Sequence, residues 1–256
     1  MPMKTNFERI KLPVKISQND IFCAMMPISA YELSQVNLVS ADEISTFVTQ
    51  KRRNEHLSGR KLLSDVLQYL GYDVSLLEVR RNQYRAPSLA YIQGVWKREQ
   101  LPAISICHSN DYAFVAVINY GQTIGIDAEP EGRIIASNVF DMMSSEDELD
   151  YLNNNPQEAI RFWTSKEAVQ KSLRTGMHTN PRKIKIPIGE RITNISIENS
   201  NFQLVNFNFN GYNISISFGK GIGYDRCLED DLLDKTRQAM KSQEWSVGCN
   251  TTRNNV

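Results

Sequence analysis

A helical pattern followed by strand-like runs occurs twice along the chain, and this repeated order limits the available folds more than any other feature of the sequence. The first copy begins SADEISTFVTQKRRNEHLSGRKLLSDVLQYLG, in which Leu57, Leu62, Leu63, Val66, Leu67 and Leu70 recur at helical spacing before Gly71. Such spacing gathers apolar side chains on one helix face, and a glycine past the last turn is a common C-terminal cap. Strand-like runs follow at 103–109, 112–120 and 123–129, separated by the turn-forming pairs Asn110-Asp111 and Gly121-Gln122, and predict an antiparallel meander. The second copy begins SSEDELDYLNNNPQEAIRFWTSKEAVQKSLRTG and closes with NISIENSNFQLVNFNFNGYNISISFG, whose alternation around Asn210-Gly211 predicts a hairpin.

Laying LSGRKLLSDVLQYLG over WTSKEAVQKSLRTG places Arg60 opposite Lys166, and Leu62 and Leu63 opposite Ala168 and Val169. Taken as a duplication, the order predicts an α+β fold of two similar lobes, each a helix with an antiparallel sheet, about a pseudo-twofold axis. A ligand cleft is expected between them. The expected lobes are 1–122 and 123–222. The remainder, 223–256, is expected to hold a helix at 228–241 and then fray into a disordered polar end.

Charge narrows the function classes. Lys plus Arg and Asp plus Glu number 29 each, so the whole-molecule field gives no case for nucleic-acid binding. Any electrostatic partner is met locally, and the basic patches are KRRNEHLSGRK (51–61) and RRNQYR (80–85). Cys23, Cys107, Cys227 and Cys249 show no metal-binding spacing, which fits a reduced, cytoplasmic setting. No stretch is apolar enough for a signal peptide or a membrane span, so neither export nor membrane insertion is expected.

Three stretches could carry chemistry. In IGIDAEP the period of two puts Asp127 and Glu129 on one strand face, opposite Ile124 and Ile126. Two carboxylates on one face suit a hard divalent cation, and also an ordinary solvated strand. In NPQEAIRFWTSKEAVQK, Asn155 is a candidate N-cap, Pro156 the first helical residue and Glu158 the partner of a capping box. Glu167 and Lys171 follow at i and i+4, an order worth about 0.3–0.5 kcal/mol as a plain salt bridge. They lie on a stripe with Ile160 and Trp163, more apolar than a solvated face, which admits a shared ligand instead. His108 lies near the end of the run ISICHS, just before the Asn110-Asp111 turn, and can be a structural histidine or a phosphate donor.

Taken in order, GRKLL (59–63), ISICHS (104–109), GIDAE (125–129) and FWTSKEAVQK (162–171) resemble the Sfp-like 4′-phosphopantetheinyl transferases. The resemblance covers roughly 45–185. It implies two similar α+β lobes with the active site between them, and transfer of the phosphopantetheine arm of coenzyme A to a serine of an apo acyl or peptidyl carrier protein, with 3′,5′-ADP released. By motif, Asp127, Glu129 and Glu167 would hold Mg²⁺. Glu167 would act as base, Lys171 would contact the phosphates, and Lys166 would help position the site. Arg60, Lys61, Arg85 and His108 would bind the 3′-phosphate and adenine end of coenzyme A. Residues 51–61 are a candidate docking site for an acidic carrier, and relatives of this length are commonly monomers. Cys107 stands where the pattern has serine, Ala128 offers no ligand, and YRAP (84–87) departs from the usual G-[KR]-P. The alternative these departures leave is a binding module of the same fold without turnover.

Overall fold

The computed structural model describes residues 5–13, 21–96, 99–197 and 199–220. In chain order it contains β1 (Glu8–Arg9), β2 (Ile21–Pro27), α1 (Ala41–Ser45), α2 (Gln50–Tyr69), β3 (Leu77–Arg81), β4 (Pro87–Tyr91), β5 (Ala103–Ser109), β6 (Tyr112–Ile118) and β7 (Thr123–Pro130). Then come α3 (Phe140–Met143), α4 (Asp147–Asn154), α5 (Ala159–Leu173), β8 (Ile192–Ile197), β9 (Ser200–Phe209) and β10 (Tyr212–Lys220). The expected helix at 228–241 lies outside the described residues. No described helix is long and apolar enough to cross a membrane.

The fold is α+β, with two four-stranded antiparallel sheets ordered β1-β2-β6-β5 and β7-β10-β9-β8, and a β3-β4 hairpin. Each sheet has a helix and an apolar core of its own. Leu62, Leu63, Val66 and Leu67 of α2 pack with Phe22, Ala24, Ile104 and Val115 of the first sheet. Phe162 and Val169 of α5 pack with Ile195, Phe202 and Leu204 of the second. This is the amphipathic pattern of the two sequence copies, with each apolar stripe buried on a sheet.

Three local expectations need correction. The run 103–130 is not a meander: β5 and β6 form a hairpin, but β7 pairs with β10. The strand β2, which sequence patterning left in a mixed segment, already occupies the other edge of β6, so β7 cannot pair there. The long helical pattern from 40 to 71 is two helices, because Ser40 caps α1 and the Thr49 side chain accepts from the Arg52 amide to start α2. Asn155 does not cap α5. Its side chain donates to the Tyr151 carbonyl, a 3₁₀ turn at Pro156–Glu158 intervenes, and Glu158 pairs with Arg161.

The strands β5 and β7, each at the edge of its sheet, lie against one another and join through side chains. The Ile126 amide donates to Ser105 Oγ at 3.0 Å, and Ser109 Oγ donates to Glu129 Oε2 at 2.5 Å. Ser105, Cys107 and Ser109 alternate along β5, so Cys107 is buried between these two links. Two unpaired edges thereby cover each other.

Candidate active site

Construction of the site begins at Gly125. A Cβ there would stand 2.0 Å from the Ala168 carbonyl oxygen and 2.9 Å from Lys171 Cβ, so only glycine lets β7 approach α5 this closely. Two residues on, Asp127 shares that face of the strand. Its Oδ1 accepts from Lys171 Nζ at 2.6 Å, and the same ammonium donates to the Ile126 carbonyl at 3.0 Å. Glu167, one turn earlier on α5, stands 3.9 Å from Lys171 Nζ. Beneath α5, Thr164, Ser165, Asn206, Asn213 and Ser215 form a buried hydrogen-bonded network that seats the helix on the second sheet.

Electrostatics at this cluster are tense. Burial, then the charges of Glu167 and Glu129, push Asp127 up to about 7 against the pull of Lys171. Burial would favour a neutral Lys171, but Asp127, Cys107 and Glu167 outweigh it and hold the ammonium above its usual range. Asp127 Oδ2 is buried with no hydrogen-bond partner among the described residues. Glu129 is engaged by Ser109 on one oxygen and by Arg133 on the other.

Whether these residues fit a metal follows from their donors. No group of three or more His, Cys, Asp or Glu side chains among the described residues is arranged to hold an ion as it stands. The free buried oxygen of Asp127 and the nearby Glu167 are nevertheless hard oxygen donors in a site short of positive charge. Mg²⁺ is commonly held by one or two carboxylates together with substrate phosphates, so the donor set fits it.

Lys171 also lines a cleft of about 340 Å³, whose walls include Arg52, His56 and Arg60 of α2, Arg81, Tyr84 and Arg85 of the β3-β4 hairpin, and His108 of β5. Both basic patches of the sequence therefore face one cavity. Further along its rim are Arg174 and Gly176. Asn82 Nδ2 donates to the Arg174 carbonyl, and Arg174 Nη1 donates to the Pro87 carbonyl, which ties the hairpin to the end of α5. Partial burial, followed by the nearby Arg52 and Lys171 charges, holds His108 below the usual imidazole range, although Glu55 Oε2 lies 3.7 Å from its Nδ1.

Of the expected residues, Arg60, Arg85, His108 and Lys171 meet in the cleft, Asp127 and Glu167 lie beside Lys171, and Glu129 acts on Asp127. Two lie elsewhere. Lys61 Nζ pairs with Asp65 at 2.5 Å along α2 and does not line the cleft. Lys166 is 1% exposed and spends its ammonium on Glu148 at 2.7 Å and on the carbonyls of Pro181 and Ile184. Its place on the Phe162–Val169 stripe turns it into the core. Residues not foreseen individually are Arg52, His56, Arg81, Tyr84 and Arg174. Arg52, His56 and Arg60 repeat every four residues, a helical stripe of nitrogen-bearing side chains that the sequence does contain.

Fold and site together describe an α+β protein with a cationic cleft opening beside a carboxylate–lysine cluster. Residues 123–217 match the family model of the 4′-phosphopantetheinyl transferase superfamily, which supports a transferase. The match holds Asp127, Glu129, Glu167 and Lys171 but not the cleft residues of the first half. No curated protein matches the chain.

Proposed function

We propose that this protein is a Sfp-like phosphopantetheinyl transferase that moves the 4′-phosphopantetheine arm of coenzyme A onto a serine of an apo acyl or peptidyl carrier protein. The observation that carries the reading is the double position of Lys171: its ammonium is held by Asp127 beside Glu167, and the same side chain lines the arginine-rich cleft. A pyrophosphate seated by the cleft would thus lie within reach of the acid cluster. On this reading the lobes are 1–122, which supplies the adenine and 3′-phosphate side, and 123–222, which supplies the reacting side.

In the proposed reaction the serine oxygen attacks the phosphorus bearing the pantetheine arm, and the bond from that phosphorus to the bridging oxygen breaks. The serine proton goes to Glu167, and 3′,5′-ADP departs. Glu167 is the most open of the three carboxylates, 32% exposed against 13% for Glu129 and 9% for Asp127, so it is the one an incoming macromolecule can reach. Lys171 neutralises charge that builds on the leaving phosphate. Arg60, Arg85 and His108 bind the far end of coenzyme A, and Lys166 acts from the core by fixing α5.

Asp127, Glu129 and Glu167 would hold Mg²⁺, for which Glu129 gives up Arg133. The ion, when bound, supplies positive charge against the pyrophosphate oxygens. Glu167→Gln separates this reading from a plain helix salt bridge. Transfer to an apo carrier is expected to fall by at least about 100-fold, the usual size of a lost acid–base group. A variant that keeps near wild-type turnover would return Glu167 to the role of helix stabiliser.

A further inference from the structure

The aligned helices carry matching buried cations, and the difference between them assigns a role to a residue outside the cleft. Arg60 and Lys166 are each 1% exposed, and each is paired with a glutamate from the short helix before its own: Arg60 with Glu43 of α1 at 3.2 Å, Lys166 with Glu148 of α4 at 2.7 Å. Lys166 is saturated by Glu148 and two carbonyls, so that pair is internal structure. Arg60 is not. Its Nη2 meets Glu43, while Nε and Nη1 are buried with no hydrogen-bond partner among the described residues, and the side chain lines the cleft. Leaving two guanidinium nitrogens dry and unpaired is costly unless a ligand takes them.

Glu43 does more than hold Arg60. Its Oε1 accepts from Arg81 Nε at 3.1 Å and Nη2 at 2.9 Å, a two-point contact with a second cleft arginine, and its Oε2 stands 3.3 Å from His56 Nε2. Burial would push Glu43 up, but His56, Arg60 and Arg81 outweigh it and hold the carboxyl well below the usual range. Glu43 itself is absent from the cleft wall. One carboxylate thus backs two cleft arginines and a cleft histidine from outside, fixing which edge of each faces inward. Arg81 is further anchored by Nη1 to the Arg85 carbonyl, on a residue held at φ 65°.

Resting on the coenzyme A reading above, we infer that Glu43 is a positioning residue that aligns Arg60 and Arg81 on the terminal 3′-phosphate of the ligand, and so sets the preference for coenzyme A over its dephosphorylated form. Glu43 selects rather than reacts. The aligned donors favour a dianionic phosphate, because charge-assisted bonds to a forked guanidinium are strong only at correct geometry. A ligand without that phosphate leaves the same donors unmet.

Calorimetric titration of the full chain with coenzyme A and with dephospho-coenzyme A tests this. Wild type is expected to prefer coenzyme A, and Glu43→Gln to weaken coenzyme A by about 10-fold, the scale of one charge-assisted bond, with dephospho-coenzyme A unchanged. Glu43→Asp, which keeps the buried charge and protects folding, is expected to show a smaller loss in the same direction. Thermal unfolding without ligand separates these effects from a loss of structure. Equal weakening of both ligands, or coenzyme A bound by Glu43→Gln as tightly as by wild type or more so, overturns the role of Glu43. Wild type that does not distinguish the two ligands overturns the coenzyme A reading of the cleft, and this inference with it.

Discussion

His108 shows how one side chain can report on the cleft. Its partial burial and the neighbouring Arg52 and Lys171 hold it below the ordinary imidazole range, so the free protein keeps it neutral around neutral pH. An anionic ligand reverses that balance by favouring the imidazolium. The pKa in the complex then lies above that of the free protein, so the gain in affinity is full below the free value and is lost as pH rises through the bound value. Coenzyme A affinity is therefore expected to decline with rising pH over that window, and His108→Gln to flatten the decline. Titration calorimetry at a series of pH values checks it, and an unchanged slope in the variant would remove His108 from phosphate binding. At this scale motif and spacing in the sequence single out Asp127, Glu167 and Lys171, and the structure brings their side chains together. Lys61 and Lys166 bear the same charge as Lys171 but have different fates, because exposure and partner depend on helix phase and on distant carbonyls.

At the scale of elements, the site depends on how closely β7 approaches α5. Gly125→Ala would force a methyl against the Ala168 carbonyl, a contact of 2.0 Å that neither backbone can relieve without moving. The expected cost is about 1–3 kcal/mol of stability or more, as for overpacked cores. Transfer activity should fall as well, since Asp127 and Lys171 are displaced together. Chemical denaturation and the transfer assay read the two effects, and a variant unchanged in both would show that the approach is not tight in solution. Helix and strand periods were readable here because each apolar stripe has a single sheet to meet. The partnering of β7 was not. Its alternation is the same in either sheet, and only the occupation of β6 by β2, a segment without clear patterning, decides between them. The break between α1 and α2 was also obscured, since both halves of that pattern favour helix and the cap at Thr49 is a single hydroxyl.

At the scale of the whole molecule, the repeated order of helix and sheet appears as two sheets with separate cores, joined where β5 meets β7. The parallel extends to the buried Arg60–Glu43 and Lys166–Glu148 pairs, whose alignment was visible in the sequence while their partners, 17 and 18 residues away, were not. Lys166 is satisfied internally while Arg60 keeps buried donors without a partner among the described residues, and on the proposed reading a common scaffold yields one structural and one binding use. The family match covers residues 123–217, the part to which the proposal assigns the reaction, and the cleft residues of the first half join the proposal on chemistry alone. The decisive measurement is the intact mass of several apo carrier proteins after incubation with this protein, coenzyme A and Mg²⁺. At least one carrier is expected to gain a single phosphopantetheine on its serine, with 3′,5′-ADP released in equal amount. No mass gain on any carrier, under conditions in which coenzyme A binds, would contradict the proposed transfer.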